Sequence, residues 1–241
     1  MNRLPDSLIP DNEPSRLRTL HQYQVLNTTP ERIFDEYAAL AAELFNLPIS
    51  LVSLVAEEEV VFKANEGLPG LERVARPDSL CSAAVLQNQV LTYSDLATEG
   101  CSLVNPFVAR SAGLRFYAGA ALRMPDGSAI GSLCVMGREP RPIEPAEEKL
   151  LMALAELVTL TIELRHTYVS RQELAEWEVV QQELEATLHE HAALARYLIS
   201  RQGSAPVHDP VSLTTVMRRL GAVRDELAQC LAARASQPLS A

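Results

Sequence analysis

The sequence predicts an α+β fold, an antiparallel sheet with helices packed against it and a long helix after it. Three observations carry this. Residues 31–140 alternate helical and strand patterns of apolar residues. Pro125-Asp126-Gly127 separates two apolar runs and marks a hairpin. No Pro or Gly stands between Pro145 and Gly203.

In chain order, residues 1–30 are polar and dotted with proline, with one short helical stretch around 16–25, and read as an N-terminal arm. Thr29 and Pro30 give a helix-start signal, with Thr29 as N-cap and Pro30 in the first helical position. Ile33, Phe34, Tyr37, Leu40, Ala41 and Leu44 then recur at helical spacing. Residues 49–55 and 60–64 read as strands joined by the acidic turn Ala56-Glu57-Glu58-Glu59. Residues 79–88 have helical spacing behind the candidate N-cap Ser79, and residues 90–93 form a short strand. The hairpin strands run over 114–124 and 128–136, and Gly119 and Gly131 within them point to close backbone approach. Residues 31–143 thus form the domain core.

Residues 144–202 read as one uninterrupted helix of up to about 58 residues, or about 87 Å. Its apolar seam is Leu150, Leu154, Leu157, Thr161 and Leu164, resuming as Leu174, Trp177, Gln181, Leu184, Leu188, His191, Ala195 and Leu198. The step between the halves is irregular near Tyr168 and Arg171. The favoured reading is a parallel two-chain coiled coil giving a homodimer through 144–200; the alternative is a helical hairpin within one chain. Residues 203–210 form a linker, and 211–241 a C-terminal amphipathic helix and tail.

Composition excludes several classes. The chain of 241 residues is 47% apolar and 22% charged, too hydrophobic for uniform disorder. No apolar stretch reaches membrane-spanning length. The first residues hold no apolar segment of signal-peptide type, so a cytoplasmic location with reduced thiols is expected. A net charge of −10 with no Lys/Arg cluster argues against nucleic acid. The four cysteines have no CxxC spacing, so no metal site is expected.

Six segments in order carry a resemblance. They are Val61-Phe62-Lys63-Ala64-Asn65-Glu66-Gly67-Leu68, Asp78-Ser79-Leu80-Cys81, Tyr93-Ser94-Asp95-Leu96, Val104-Asn105-Pro106-Phe107-Val108, Arg115-Phe116-Tyr117-Ala118-Gly119-Ala120 and Ile130-Gly131-Ser132-Leu133-Cys134-Val135. Together they resemble the GAF family, in the branch found at the front of bacterial histidine kinases and cyclic-di-GMP enzymes. The resemblance spans roughly residues 15–165. It implies a GAF-like antiparallel sheet of five or six strands with helices on one face and a ligand pocket on the other. In that family the pocket holds a small molecule such as a cyclic nucleotide, a tetrapyrrole, a haem or a metabolite. The ligand-binding positions it implies are Phe62, Lys63, Cys81, Asp95, Asn105, Phe107, Arg115 and Tyr117. Their chemistry suits that use, with stacking faces from Phe62 and Tyr117 and anion-recognising donors from Lys63 and Arg115. No Cys is followed by His, so no covalently attached bilin is expected. The NKFDE-type signature of the cyclic-nucleotide-binding branch is absent, and the place of an acidic-x-Arg-Phe stretch reads Glu99-Gly100-Cys101-Ser102-Leu103.

Three readings follow. The first is a cytoplasmic sensor that binds a small molecule or senses redox state and relays it to a partner signalling protein such as a histidine kinase. The second is a thiol oxidoreductase resembling free methionine-R-sulfoxide reductase, with Cys81 and Cys101 as its catalytic thiols. The third is a scaffold with a degenerate pocket. Cys134 lies in an apolar strand and reads as core packing. Arg115 is read equally as a ligand donor or as the ion-pair partner of Asp95 or Glu99. His189 and its neighbours lack the pattern of a phosphoacceptor, and no kinase, cyclase or phosphodiesterase motif occurs.

Overall fold

A computed structural model describes residues 5–99, 104–105, 112–202 and 208–236. Two helices open the chain, α1 (Glu13–Gln22) and α2 (Arg32–Phe45). Strands β1 (Ile49–Val55), β2 (Glu59–Glu66) and β3 (Arg73–Ala75) follow, then the short helix α3 (Leu80–Ala84). Strand β4 (Leu91–Tyr93) leads to the hairpin β5 (Phe116–Arg123) and β6 (Ala129–Gly137). Three helices close it, α4 (Pro145–Val169), α5 (Leu174–Gln202) and α6 (Pro210–Ala235). The fold is α+β, as the sequence predicts.

The six strands form one antiparallel sheet in the order β3-β2-β1-β6-β5-β4. β1 sits in the middle and all seven of its residues are buried, because both sheet faces are covered. Parity then sorts the side chains. Val52, Leu54, Phe116, Ala118, Ala120, Leu122, Leu133 and Val135 join the helix-covered core. Ile49, Leu51, Val55, Tyr117, Cys134 and Met136 join a second core on the opposite face. Gly131 is required where β6 crosses β1, since a Cβ there would sit 1.9 Å from the Ser53 carbonyl oxygen.

α2 starts two residues later than its sequence signal, at Arg32 with Glu31 as N-cap. The reason is tertiary. The Glu31 carboxylate accepts from Arg165 Nε at 2.8 Å and from Trp177 Nε1 at 3.1 Å, which fixes the entry to the helix. The helix ends on Asn46 in the left-handed conformation (φ 50°), with Leu47 N–H donating to Ala42 O.

The single helix expected over 144–202 is corrected to two. The chain breaks after Val169, with Gln172 at φ 62° and Glu173 N–H donating back to Tyr168 O at 3.0 Å. This is the place where the seam is irregular. The seam residues Leu150, Leu154, Leu157, Thr161 and Leu164 are all buried within this chain, so they do not lie open to a second copy. Thr161 shares a 2.7 Å hydrogen bond with Tyr37 on α2. α5 lies on α2, burying Leu184, Leu188 and Ala195, and α6 lies on α4, burying Val216, Leu220, Val223 and Leu227. Folding back buries both stripes within the chain, at about 1.5–3 kcal/mol per large side chain.

The N-terminal arm is more than a loose docking segment. Arg16 and Arg76 are buried and converge on Glu13, with Arg16 Nε 2.7 Å from its carboxylate. Arg16 also donates to Val55 O at 2.7 Å, and Arg76 to Leu8 O at 2.8 Å. Burial pushes the Glu13 carboxyl up, but Arg16 and Arg76 outweigh it and hold it below its ordinary value. α1 is thereby clamped to the β1–β2 turn.

Candidate functional site

The face of the sheet turned away from the long helices carries a cavity of about 80 Å³. Among the described residues its walls are Leu51, Phe62, Leu68, Leu71, Val74, Leu114 and Met136, with Ser79, Leu80 and Cys81 from α3 and Tyr117 from β5. Asn105 and Asp78 stand at one side, joined by a 3.0 Å hydrogen bond from Asn105 Nδ2 to Asp78 Oδ1. The cavity is apolar with a few placed polar groups, the general form of a ligand site.

Four of the expected positions therefore meet: Phe62, Cys81, Asn105 and Tyr117. Lys63 does not join them. The pairing of β1 with β2 slips between Val52 and Ser53, leaving Lys63 as the extra residue of a bulge. Its side chain turns to the helix-covered side, where Nζ donates to Thr28 Oγ1 at 2.6 Å and lies 5.9 Å over the Phe34 ring. Arg115 and Asp95 pair with each other instead of lining the cavity, at 2.6 and 2.7 Å in a two-pronged bridge. Hydrogen bonding from Arg115 holds the Asp95 carboxyl down at about 2. Leu96 N–H donates to Arg115 O at 2.6 Å, so the pair ties the segment after β4 to the start of β5. Phe107 and Cys101 lie outside the described residues.

The cavity floor holds polar groups in an apolar setting. Ser79 caps α3 as expected, its Oγ accepting from Cys81 N–H at 3.2 Å, although the helix is only five residues long. Cys81 Sγ lies 3.9 Å from Cys134 Sγ on β6. Beside them Ser53 and Ser132 share a 3.0 Å hydrogen bond across β1 and β6. The Tyr117 hydroxyl, fully buried, has no hydrogen-bond partner of ordinary geometry among the described residues. Burial and the neighbouring Cys81 and Cys134 sulfurs push its pKa well above the phenol range. Gly119 makes room for it, since a Cβ there would lie 2.3 Å from Tyr117 Oη.

Cys134 is buried in the core of this face, as the sequence reading has it, and Ser53 and Ser132 are polar neighbours that the reading did not single out. A signal was present: Ser132 and Cys134 share one parity on β6, and Ser53 interrupts an otherwise apolar β1 on the cavity side. The described residues hold no cluster of His, Cys, Asp or Glu fit for a metal ion, and no helix among them is long and apolar enough to cross a membrane.

This architecture has known counterparts. The GAF domain family model matches residues 29–162, more than half of the chain, and the chain belongs to that family. It is a GAF-domain module of the signalling and sensor kind. A cyclic di-GMP phosphodiesterase of Pseudomonas aeruginosa is 34% identical over 154 residues, covering 64% of this chain and 26% of the relative. The chain thus spans about a quarter of that relative's length. Among solved structures, a domain of a putative two-component sensor histidine kinase protein from Sinorhizobium meliloti aligns at TM-score 0.49 and 14% identity, over 60% of this chain and 99% of that one. The GAF domain of an Acinetobacter phosphoenolpyruvate-protein phosphotransferase aligns at 0.48 and 16%, over 65% and 98%. Free methionine-R-sulfoxide reductase from Neisseria meningitidis, in complex with its substrate, aligns at 0.45 and 17%, over 61% and 85%.

Proposed function

We propose that this chain is a sensory module whose signal is a small, weakly polar molecule or a redox change received in the cavity between β5, β6 and α3. The observation that carries this is the combination of an apolar hollow with a buried hydroxyl, Tyr117 Oη, that has no hydrogen-bond partner of ordinary geometry among the described residues. An unpaired buried donor costs about 1–3 kcal/mol. A polar atom of a ligand that accepts from it removes that penalty, which gives occupancy a driving force.

The size of the hollow favours small occupants. Ligand sites for drug-sized molecules run to about 300–1,000 Å³. At about 80 Å³ this one is too small for a dinucleotide. The matched relative is a phosphodiesterase of cyclic di-GMP, but what this chain shares with it is a segment covering 26% of its length. The reading is therefore of a regulatory part in a signalling protein of that general kind, with cyclic di-GMP itself outside this pocket.

Relay follows from β5. Tyr117 faces the cavity while Phe116, Ala118 and Ala120 on the same strand face the core beneath α4. A shift of β5 on occupancy therefore reaches α4, and through its packing α6, provided the occupant prefers one arrangement over the other. Xenon, an apolar atom smaller than the hollow, is a suitable probe. In an amide NMR titration under xenon pressure we expect shifts at Leu51, Cys81, Tyr117 and Met136 that continue into α4. A spectrum unmoved by saturating xenon overturns the pocket, and shifts that stop at the lining overturn the relay.

A further inference from the structure

Two thiols meet beneath the cavity from positions 53 residues apart, with their sulfurs 3.9 Å from each other. Both are buried and neither is in a disulfide. Cys81 forms part of the cavity wall, while Cys134 stands behind it on β6. The Tyr117 hydroxyl is buried among these same groups. Building on the sensor reading, we propose that Cys81 and Cys134 are a peroxide-responsive dithiol, converted to a disulfide by a hydroperoxide that enters the cavity.

The two sulfurs have different tasks. Hydrogen bonding from the Cys134 thiol, joined by the Ser132, Ser53 and Ser79 hydroxyls, favours the Cys81 thiolate against the upward push of burial. Cys134 is pushed the other way by Cys81 and by burial. Cys81, which also faces the hollow, is the attacking thiol. Its sulfur takes one peroxide oxygen, the O–O bond breaks, and the departing hydroxide leaves as water with the proton that Cys81 gave up. The product is a Cys81 sulfenic acid, for whose oxygen the Tyr117 O–H is an available donor. The Cys134 sulfur then attacks the Cys81 sulfur. The S–S bond forms, the S–O bond breaks, and the hydroxyl departs as a second water with the Cys134 proton. Two thiols lose two electrons and one hydrogen peroxide becomes two waters. Water occupies about 30 Å³ of liquid per molecule, so hydrogen peroxide, the size of two waters, fits a hollow of about 80 Å³. Closing the sulfurs from 3.9 Å to a bond of about 2.05 Å draws α3 onto β6 and changes the cavity wall, which is the signal.

The test uses the full chain carrying Cys101→Ser and Cys230→Ser, so that only this pair remains. After hydrogen peroxide treatment and denaturation in an alkylating reagent, we expect both thiols to be protected, the intact mass to fall by two hydrogens, and dithiothreitol to reverse both. Adding Cys134→Ser should stop the reaction at a Cys81 sulfenic acid that dimedone traps. Tyr117→Phe, with its fold checked by circular dichroism, should slow oxidation several-fold. Peptide mapping of the native chain is the second measurement, independent of any variant, and we expect Cys81 joined to Cys134. Two thiols that stay alkylatable under peroxide sufficient to oxidise free cysteine overturn the inference. So does a Cys81–Cys101 bridge in the native chain. The xenon titration of the reduced chain separates the two readings: shifts at the cavity with inert thiols leave the sensor pocket standing and remove the dithiol alone.

Discussion

The two faces of the sheet are built to different rules. On the helix-covered face, Phe34, Tyr37, Phe116, Leu154 and Leu157 fill the space, and the buried Tyr37 hydroxyl has its partner in Thr161. On the opposite face the wall is thin, one of its helices has five residues, a cavity remains, and the Tyr117 hydroxyl has no partner among the described residues. Two tyrosines in the same degree of burial thus end in opposite states. The lesson is that stability is concentrated on one face and an unfilled, polar-floored hollow is kept on the other, which is where a protein leaves room for function.

The difference can be broken most strongly by truncating matched leucines. Leu154→Ala, under α4, should lower unfolding free energy by about 3–4 kcal/mol. Leu51→Ala borders an existing void and should cost about 2 kcal/mol, because fewer contacts are lost there. Chemical denaturation of both variants checks this, and equal losses would erase the contrast. Glu13→Gln comes next, at about 3 kcal/mol, since it leaves Arg16 and Arg76 buried without their carboxylate. The folded-state pKa of Glu13 is depressed, so its contribution is present above the unfolded value of about 4.5 and is lost as pH falls through the folded value. Denaturation across that acid range should show a shallower pH dependence in Glu13→Gln than in the parent.

Smaller changes sharpen the cavity side. Gly119→Ala forces a Cβ against Tyr117 Oη and should cost about 1–3 kcal/mol, read as a lower thermal midpoint. Tyr117→Phe removes a hydroxyl that has no partner of ordinary geometry among the described residues and should leave stability unchanged or raise it by about 1 kcal/mol. A loss of more than that would mean the hydroxyl has a partner. Arg115→Ala breaks a half-buried pair at the surface and should cost little stability.

Much of this was legible in the sequence, for physical reasons. Strands β1, β2, β5 and β6 announced themselves by apolar runs and the Pro125-Asp126-Gly127 turn, and Ser79 by its capping chemistry. The folding back of the long helix was legible in part: the irregular seam near Tyr168 and Arg171 marked the break, and a helical hairpin stood as the alternative to the coiled coil. Periodicity reports that a stripe is apolar, not which surface covers it, and so could not decide between them. Lys63 was misplaced because a bulge moves a residue to the other face without any change in composition. The meeting of Cys81 with Cys134, and of Glu13 with Arg76, depends on long-range register that no local pattern encodes.

Diffraction from crystals pressurised with xenon tests the contrast between the faces most directly. A wider groove of about 630 Å³ lies on the helix side, bordered by Met152, Glu156, Met217 and Arg224, and offers a competing apolar surface. The account predicts a xenon peak in the small hollow, in contact with Cys81, Tyr117 and Met136. Xenon confined to the groove at Met152 and Met217, with none beside Tyr117, would contradict it.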